Sequence, residues 1–178
     1  MRRPHRVLAA ALAAVSPAAP ALTHAERPRP VKARKAPQKV PLKPYADHTR
    51  VAEQKHGLPR HVIDSILYAE SRGNPKARNR KSGAAGVAQF TAGGRKAVER
   101  IRRARGEQRW RFTLADAMDP VQAIAAAAEL LAYLVDYCRG SLVRALGAYN
   151  TGRCMVNGYA RRVLRYAEFL RMLEEPRS

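Results

Sequence analysis

Acidic side chains are scarce in this sequence. Its 178 residues include 14 Asp and Glu against 34 Lys and Arg, which gives a formal net charge of +20. A charge of this size implies an anionic partner or an anionic neighbourhood, because a strongly basic surface attracts negative polymers. Nucleic acid, an acidic membrane face and an anionic cell-wall polymer all meet that requirement, and charge alone does not choose between them.

Long apolar runs are also scarce. The run Val7–Val15 follows a cationic start and is too short to span a bilayer comfortably. With Thr23 and Ala25 ahead of a cleavage point, residues 1–25 are typical of a secretory signal peptide, the alternatives being an uncleaved anchor or a disordered Ala-rich arm. No later segment is long and apolar enough to cross a membrane, so we expect a soluble product exported to the periplasm or cell envelope.

Strand signals are missing as well. The sequence shows no alternation of apolar and polar residues and no internal repeat, whereas apolar residues recur at helical spacing. This pattern predicts a single all-α domain of about six helices over residues 46–175. The predicted helices cover roughly residues 45–56, 59–72, 91–105, 120–138, 141–149 and 158–174.

The segment before this domain, residues 26–45, mixes proline with Lys and Arg and has almost no large apolar side chain. This composition predicts a basic linker that is disordered or polyproline-like. Such a linker could hold the protein near an anionic envelope surface, or it could be a solvated spacer.

Cysteine is limited to Cys138 and Cys154. In an exported chain an even count predicts a disulfide, here between the end of the long helix and the loop after Tyr149–Asn150. The alternative is two free thiols. The five histidines show no ligand spacing with these cysteines, so we expect no metal site and no cofactor.

Glu70 occupies an unusual position. It continues the apolar row of a helix that is predicted to begin at Pro59 and to end before Gly73. Burial and the negative end of the helix dipole both disfavour a charged carboxylate there, which predicts a raised pKa, with nearby Arg72 acting in the opposite direction. An acid that stays protonated near neutral pH suits general acid catalysis, whereas the alternative is a solvated glutamate at a helix end.

Four segments, in this order, resemble one family. They are Glu70-Ser71 at a helix end, Gly86–Phe90 (GVAQF) after a glycine turn, Ala148–Gly152 (AYNTG), and Tyr159 opening the last helix. Together they are similar to the soluble lytic transglycosylase domain, the SLT domain, which has a lysozyme-like α-fold. The resemblance covers residues 46–175, and the compact size is most similar to the small specialised members that serve conjugation or secretion machines.

The resemblance implies cleavage of the β-1,4 bond between N-acetylmuramic acid and N-acetylglucosamine in peptidoglycan, leaving a 1,6-anhydro end without hydrolysis. Glu70 would be the only catalytic acid and base, and the substrate's N-acetyl group would stabilise the cation-like intermediate. We therefore expect a monomeric enzyme with peptidoglycan as its partner, an envelope secretion or conjugation machine as a further partner, and no nucleic acid.

The resemblance also implies six residues that contact substrate: Ser71, Gly86, Gln89, Tyr149, Asn150 and Tyr159. The Ser71 hydroxyl would bond Glu70 or the sugar, and the Gly86 backbone would approach the sugar closely. The Gln89 amide suits an N-acetyl or hydroxyl group, and the tyrosines would contact the sugar or hold the acid in place. Asn150 would orient substrate or cap the turn that it opens.

Two positions depart from the family pattern. Ala88 stands where a larger residue, often methionine, is common, and Ala123 stands where asparagine is usual. These changes would alter the floor of a groove and remove one substrate contact, but neither removes the expected acid.

Three other functions compete with this interpretation. A hydrolytic lysozyme-type muramidase would need a second carboxylate, for which Asp116 and Asp119 are the nearest candidates. A non-catalytic cationic wall-binding protein would use the basic excess directly. A nucleic-acid-binding protein would use the same excess, because residues 46–178 hold 24 basic against 13 acidic side chains, a balance of +11. The missing recognition motif and the export signal argue against the last.

Overall fold

The computed structural model describes residues 43–174, and it is helical over that range apart from loops, a 3₁₀ turn at Lys43–Tyr45 and two isolated bridges. The predicted signal peptide, residues 1–25, and the predicted linker up to residue 42 lie outside the described residues. The helices are α1 (Ala46–Lys55), α2 (Val62–Ser71), α3 (Ala92–Ala104), α4 (Leu114–Met118), α5 (Pro120–Tyr137), α6 (Leu142–Thr151) and α7 (Gly158–Glu174).

The all-α prediction is confirmed, with one helix more than the six expected. The additional helix is α4, which is only five residues long and shows no apolar periodicity. It begins at a capping box, in which the Thr113 hydroxyl accepts from the Asp116 N–H and the Asp116 carboxylate accepts from the Thr113 N–H. A reciprocal cap of this kind satisfies two backbone donors and allows a very short helix to form.

The start of α2 differs from the prediction. Pro59 is not at the first helical position, because the helix begins at Val62, after His61 in a left-handed conformation (φ 66°). The free N–H groups at this end donate instead to the buried Glu53 carboxylate of α1, from His61 at 3.1 Å and from Ile63 at 2.9 Å. A side chain from another helix therefore caps α2 and fixes its direction.

The core surrounds α5, which packs against α1, α3, α4 and α6, while α2 packs against α7. Three consecutive alanines of α5, Ala126, Ala127 and Ala128, are fully buried, and small side chains at these positions let several helices approach one axis. Within residues 43–174 no single helix is long and apolar enough to cross a membrane; α5 and α6 meet that test only as a pair bent by 118°.

A disulfide joins the ends of α5 and α6. Cys138 at the end of α5 is bonded to Cys154 in the loop after α6, with their Cα atoms 5.6 Å apart. The same loop lies directly on α6 at Gly147, where any Cβ would collide with the carbonyl oxygen of Met155. One covalent bond and one close backbone contact therefore hold this loop against the two helices.

Candidate active site

A cleft of about 790 Å³ opens beside the C-terminal end of α2. Residues of α3, α5 and α6 line it, together with the segment that precedes α3. Four of the seven site residues predicted from the sequence line this cleft: Glu70, Gln89, Tyr149 and Asn150. Tyr159 is buried on α7 and contacts Glu70. Ser71 and Gly86 do not line the cleft and have other roles.

The sequence of α2 explains how Glu70 reaches the cleft. Ile63, Ile66 and Leu67 are fully buried and anchor one face of the helix in the core. Glu70 continues that face into the last turn, where the helix ends at Arg72 in a left-handed conformation (φ 59°). The carboxylate is therefore placed by a rigid helix at the point where the core gives way to the cleft.

The environment of Glu70 favours the protonated acid. Burial raises the pKa of Glu70 above its ordinary value, while a contact with the Tyr159 hydroxyl and the charge of Arg162 lower it in part. This contact is longer or less well aligned than a hydrogen bond, since the buried Tyr159 hydroxyl has no hydrogen-bond partner among residues 43–174. Arg72, expected to oppose the shift, instead lies over the Tyr68 ring, 4.3 Å from its centroid.

Two phenols lie close to this acid. The Tyr149 hydroxyl donates to the carbonyl oxygen of Ala88 at 3.4 Å, and burial followed by the charge of Glu70 holds its pKa well above the usual value. Burial and the same charge also raise the pKa of Tyr159. Both phenols therefore remain protonated, and the Tyr159 hydroxyl, which no described residue engages, is available as a donor when Glu70 becomes charged.

One of the two polar groups of the Gln89 side-chain amide, the N–H₂, is hydrogen-bonded within the protein. Its backbone is left-handed (φ 50°), and its side-chain N–H₂ donates to the carbonyl oxygens of Ala77 at 3.2 Å and Gly86 at 3.0 Å. Its carbonyl oxygen accepts no hydrogen bond from residues 43–174, and the residue lines the cleft. The sequence predicted both donor and acceptor functions toward substrate, and this geometry leaves the acceptor.

Ser71 and Gly86, which were predicted to contact substrate, both make close contacts within the protein. The Ser71 hydroxyl bonds the carbonyl oxygens of Val87 at 2.8 Å and Leu67 at 3.3 Å, which joins α2 to the segment carrying Gln89 and leaves no bond to Glu70. The packing requires a glycine at position 86 (φ 76°), because a Cβ there would collide with the carbonyl oxygen of Ala117 in α4.

Asn150 lies in the last turn of α6 rather than opening a turn, and its side chain is exposed at the cleft. The side-chain oxygen of Asn150 (Oδ1) accepts a hydrogen bond from the side-chain nitrogen of Asn157 (Nδ2) at 3.4 Å, which connects α6 to the residue before α7. Ala88 also lines the cleft, whereas Ala123 is fully buried in α5 and does not. The departure at Ala88 therefore affects the cleft directly, and the departure at Ala123 affects packing.

Glu70 is the only acidic residue lining the cleft within residues 43–174. Asp116 is occupied by the capping box of α4, and Asp119 caps α5 by accepting from the Gln122 N–H at 2.9 Å. A second cavity, of about 720 Å³, contains Glu129, whose two oxygens accept from Arg102 and Arg105 at 2.7 Å each. Neither arrangement offers a second free carboxylate near Glu70.

Sequence reasoning missed several residues that line the cleft: Asn79, Ser82, Gly93, Gly94, Arg100, Tyr133 and Tyr137. Tyr133 and Tyr137 are four residues apart on a mostly apolar helix, so their shared face was readable from the sequence. The others come from segments whose approach to the cleft depends on tertiary packing. Arg162, the cation that acts on Glu70, was also missed.

Comparison with known proteins agrees with this arrangement. Residues 47–169 match the sequence model of the family described as Transglycosylase SLT domain. The chain is also similar to the X-ray structure of an inactive mutant of the lytic transglycosylase Slt from Pseudomonas aeruginosa, with a TM-score of 0.62 and 20% identity. That match covers 78% of this chain but only 25% of the larger protein, so the likeness is one of fold over a single domain. No curated protein matches the chain.

Proposed function

The chain belongs to the Transglycosylase SLT family, and from this premise we propose that it is a peptidoglycan lytic transglycosylase. The proposed reaction cleaves the β-1,4 bond between N-acetylmuramic acid and N-acetylglucosamine and leaves a 1,6-anhydro end. The observation that carries the proposal is a single acid with a raised pKa at the wall of a large cleft, beside two protonated phenols.

In the proposed mechanism Glu70 first donates its proton to the oxygen of the glycosidic bond, and that bond breaks as the N-acetylglucosamine hydroxyl leaves. The carboxylate that remains is stabilised by the Tyr159 hydroxyl and by the charge of Arg162. Glu70 then accepts the proton of the muramic acid 6-hydroxyl, whose oxygen bonds to the anomeric carbon. The acid is thereby regenerated, and no water is consumed.

The other residues of the site would hold the substrate. The free carbonyl oxygen of Gln89 suits the N–H of an N-acetyl group, and the exposed amide of Asn150 suits a hydroxyl. Tyr149, bonded to the Ala88 carbonyl, would present its ring edge to the sugar and keep the wall of the cleft in position. Ser71 and Gly86 would act through the fold, since each stabilises the segment that carries Gln89.

A hydrolytic muramidase is the alternative, and its need for a second carboxylate makes it less well supported. Inverting enzymes use that carboxylate to activate water, and retaining enzymes use it as a nucleophile. Asp116 and Asp119 are both engaged in helix caps, and neither lines the cleft.

Product analysis tests the proposal. Purified sacculi digested with the protein should release muropeptides with 1,6-anhydromuramic ends, which are lighter by one water than reducing ends in mass spectrometry. The Glu70→Gln variant, which keeps the size of the side chain but cannot supply the proton, should release them at least about 100-fold more slowly. Muropeptides with reducing ends would show that the protein is a hydrolase and not a transglycosylase. Lysis by the Glu70→Gln variant at the rate of the parent would show that Glu70 is not the catalytic acid.

The setting is part of the same proposal. Residues 1–25 would direct export, residues 26–45 would form a basic tether to an anionic envelope surface, and residues 46–175 would remodel the wall locally, for a secretion or conjugation machine. A fusion of residues 1–45 to a reporter that is active only after export tests the first step. Reporter activity should be lost when the apolar run Val7–Val15 is interrupted by charge.

A further inference from the structure

Part of the cleft is lined by α3 and α5, and the mechanism above does not use it. The α5 face consists of Leu130, Tyr133, Leu134 and Tyr137, a single stripe that runs for roughly 10 Å along the helix. A stripe with this spacing normally packs into a core. Here its tyrosines are 44% and 63% exposed, and their rings stack at 6.2 Å with 10° between planes. The cleft therefore contains two nearly parallel aromatic rings, referred to below as the Tyr133–Tyr137 surface, that remain largely exposed among the described residues.

The α3 face of the same region is built of small residues, Gly93, Gly94 and Ala97. The fold does not require Gly93, because its backbone is helical and a Cβ there would meet only the Thr91 hydroxyl oxygen, at 3.8 Å. Glycine weakens a helix relative to alanine, so its presence needs another reason. A glycine that faces a cleft leaves room for a ligand to approach the backbone.

Arg100 completes the α3 face. It is exposed, lines the cleft and forms no ion pair or hydrogen bond with residues 43–174. Arg102 and Arg103 of the same helix, by contrast, are paired with Glu129 and Glu99. The guanidinium of Arg100 is therefore available to an anion that occupies the cleft.

We propose that the α3 and α5 faces bind a further N-acetylmuramic acid residue of the glycan strand being cleaved. The sugar ring lies on the Tyr133–Tyr137 surface, and its carboxylate reaches Arg100. The inference rests on the proposed function, since the two faces belong to the cleft that contains Glu70. The C–H groups of a pyranose ring suit the negative face of an aromatic ring, and the carboxylate selects muramic acid over N-acetylglucosamine, which has none.

This carboxylate has two sources in peptidoglycan. In a strand that bears peptides, the lactyl group of muramic acid is tied up in an amide, and the free carboxylates belong to the peptide. When an amidase removes the peptides, water cleaves that amide and the lactyl carboxylate becomes free. The two kinds of strand therefore present the anion at different places on the same sugar.

Binding to the full-length Glu70→Gln protein tests the proposal without turnover. Isothermal titration is done with soluble strands that bear peptides and with the same strands after amidase treatment. Adding Tyr133→Ala should weaken binding of both about tenfold. Adding Arg100→Gln should weaken binding of one kind of strand about two- to fivefold. If Arg100 binds the peptide carboxylate, the peptide-bearing strands are affected. If it binds the lactyl carboxylate, the strands without peptides are affected. The control is Arg144→Gln, which removes the same charge from an exposed position on α6 outside the cleft.

The Gly93→Leu variant distinguishes an effect on strand binding from an effect on the stability of the fold. Because the site is helical and open, this variant should melt no lower than the parent, yet its side chain should weaken strand binding about tenfold or more. Unchanged affinity in the Tyr133, Arg100 and Gly93 variants would overturn the inference, and the anhydro products of the parent would still support the proposed function. If the parent gives no anhydro product and the Glu70→Gln protein binds no strand, both proposals fail.

Discussion

A carboxylate whose pKa is raised by burial lies at each end of α2, but within residues 43–174 only the one at the N-terminal end has hydrogen-bond partners. At the N-terminal end, Glu53 accepts from the N–H groups of His61 and Ile63 and from Arg60 at 3.0 Å, and these bonds partly offset the effect of burial on its pKa. At the C-terminal end, Glu70 makes no bond of hydrogen-bond geometry with residues 43–174.

The difference separates structural from chemical roles. A carboxylate whose oxygens are saturated by fixed donors acts as a helix cap, and removing it leaves those donors unpaired in the core. A carboxylate without such donors, placed beside a cleft, can exchange its proton with whatever enters. The same helix thus uses one glutamate to fix its direction and presents another for reaction.

The largest expected effect is on activity at the C-terminal end. Glu70→Gln should lower the rate of strand cleavage about 10²–10⁴-fold, because the amide cannot donate or accept the catalytic proton. The free energy of unfolding should stay within about 0.5 kcal/mol of the parent or rise, since a poorly solvated acid is removed. Rates from released muropeptides and urea denaturation of the same samples measure both. A variant that unfolds easily but still cleaves at near-parent rates would reverse the assignment of roles.

Glu53→Gln should show the opposite pattern. Loss of the charge breaks the buried pair with Arg60 and weakens the cap of α2, so the free energy of unfolding should fall by about 3 kcal/mol. The rate per folded molecule should change little below the melting transition, because Glu53 does not line the cleft. The comparison breaks down if this variant loses activity while denaturation shows full stability.

The pH dependence sharpens the contrast further. The pKa of Glu70 is raised in the folded state, so the folded chain holds this proton more readily than the unfolded chain. Its contribution to stability is therefore complete below the ordinary pKa of 4.5 and is lost as pH rises through the raised value. The stability of the parent relative to Glu70→Gln should fall over that window, and cleavage should decline at its upper end. A pH-independent difference between the two proteins would mean that the pKa of Glu70 is not raised.

Arg162→Gln should give the smallest effect. The charge of Arg162 lowers the pKa of Glu70, so its removal should move the alkaline limb of the activity profile to higher pH. Arg165→Gln is the matched control, since Arg165 is exposed on the same helix and does not act on Glu70. Stability should change by less than about 0.5 kcal/mol in either protein. Equal shifts in the two variants would indicate an effect of net charge rather than of position.

Much of the fold was readable from local signals. Thr91 caps α3, Asp119 and Pro120 open α5, and Gly140 follows its end, as their residue types predict. The start of α2 was not readable, because its cap comes from Glu53 in another helix. Because the capping side chain belongs to α1 and lies several residues before Pro59, the residues around Pro59 contain no local signal for where α2 begins.

The candidate site was readable only in part, and for the same reason. The apolar row of α2 predicts the burial of Glu70, and the structure places that residue at the cleft. The partners of Ser71 and Gly86 are backbone atoms of Val87 and Ala117, which no spacing rule relates to them. Residue type predicts what a side chain can bond, whereas the partner that it finds depends on tertiary packing.

The disulfide between Cys138 and Cys154 limits how far the cleft can open and close on the side of α6. It closes a ring that contains the whole of α6, and therefore Tyr149 and Asn150, and anchors that ring beside Tyr137 of α5. While the disulfide is formed, α6 cannot rotate away from the end of α5 as a rigid body. A change in the width of the cleft would therefore involve α3 and the loop before it, rather than the wall that α5 and α6 form.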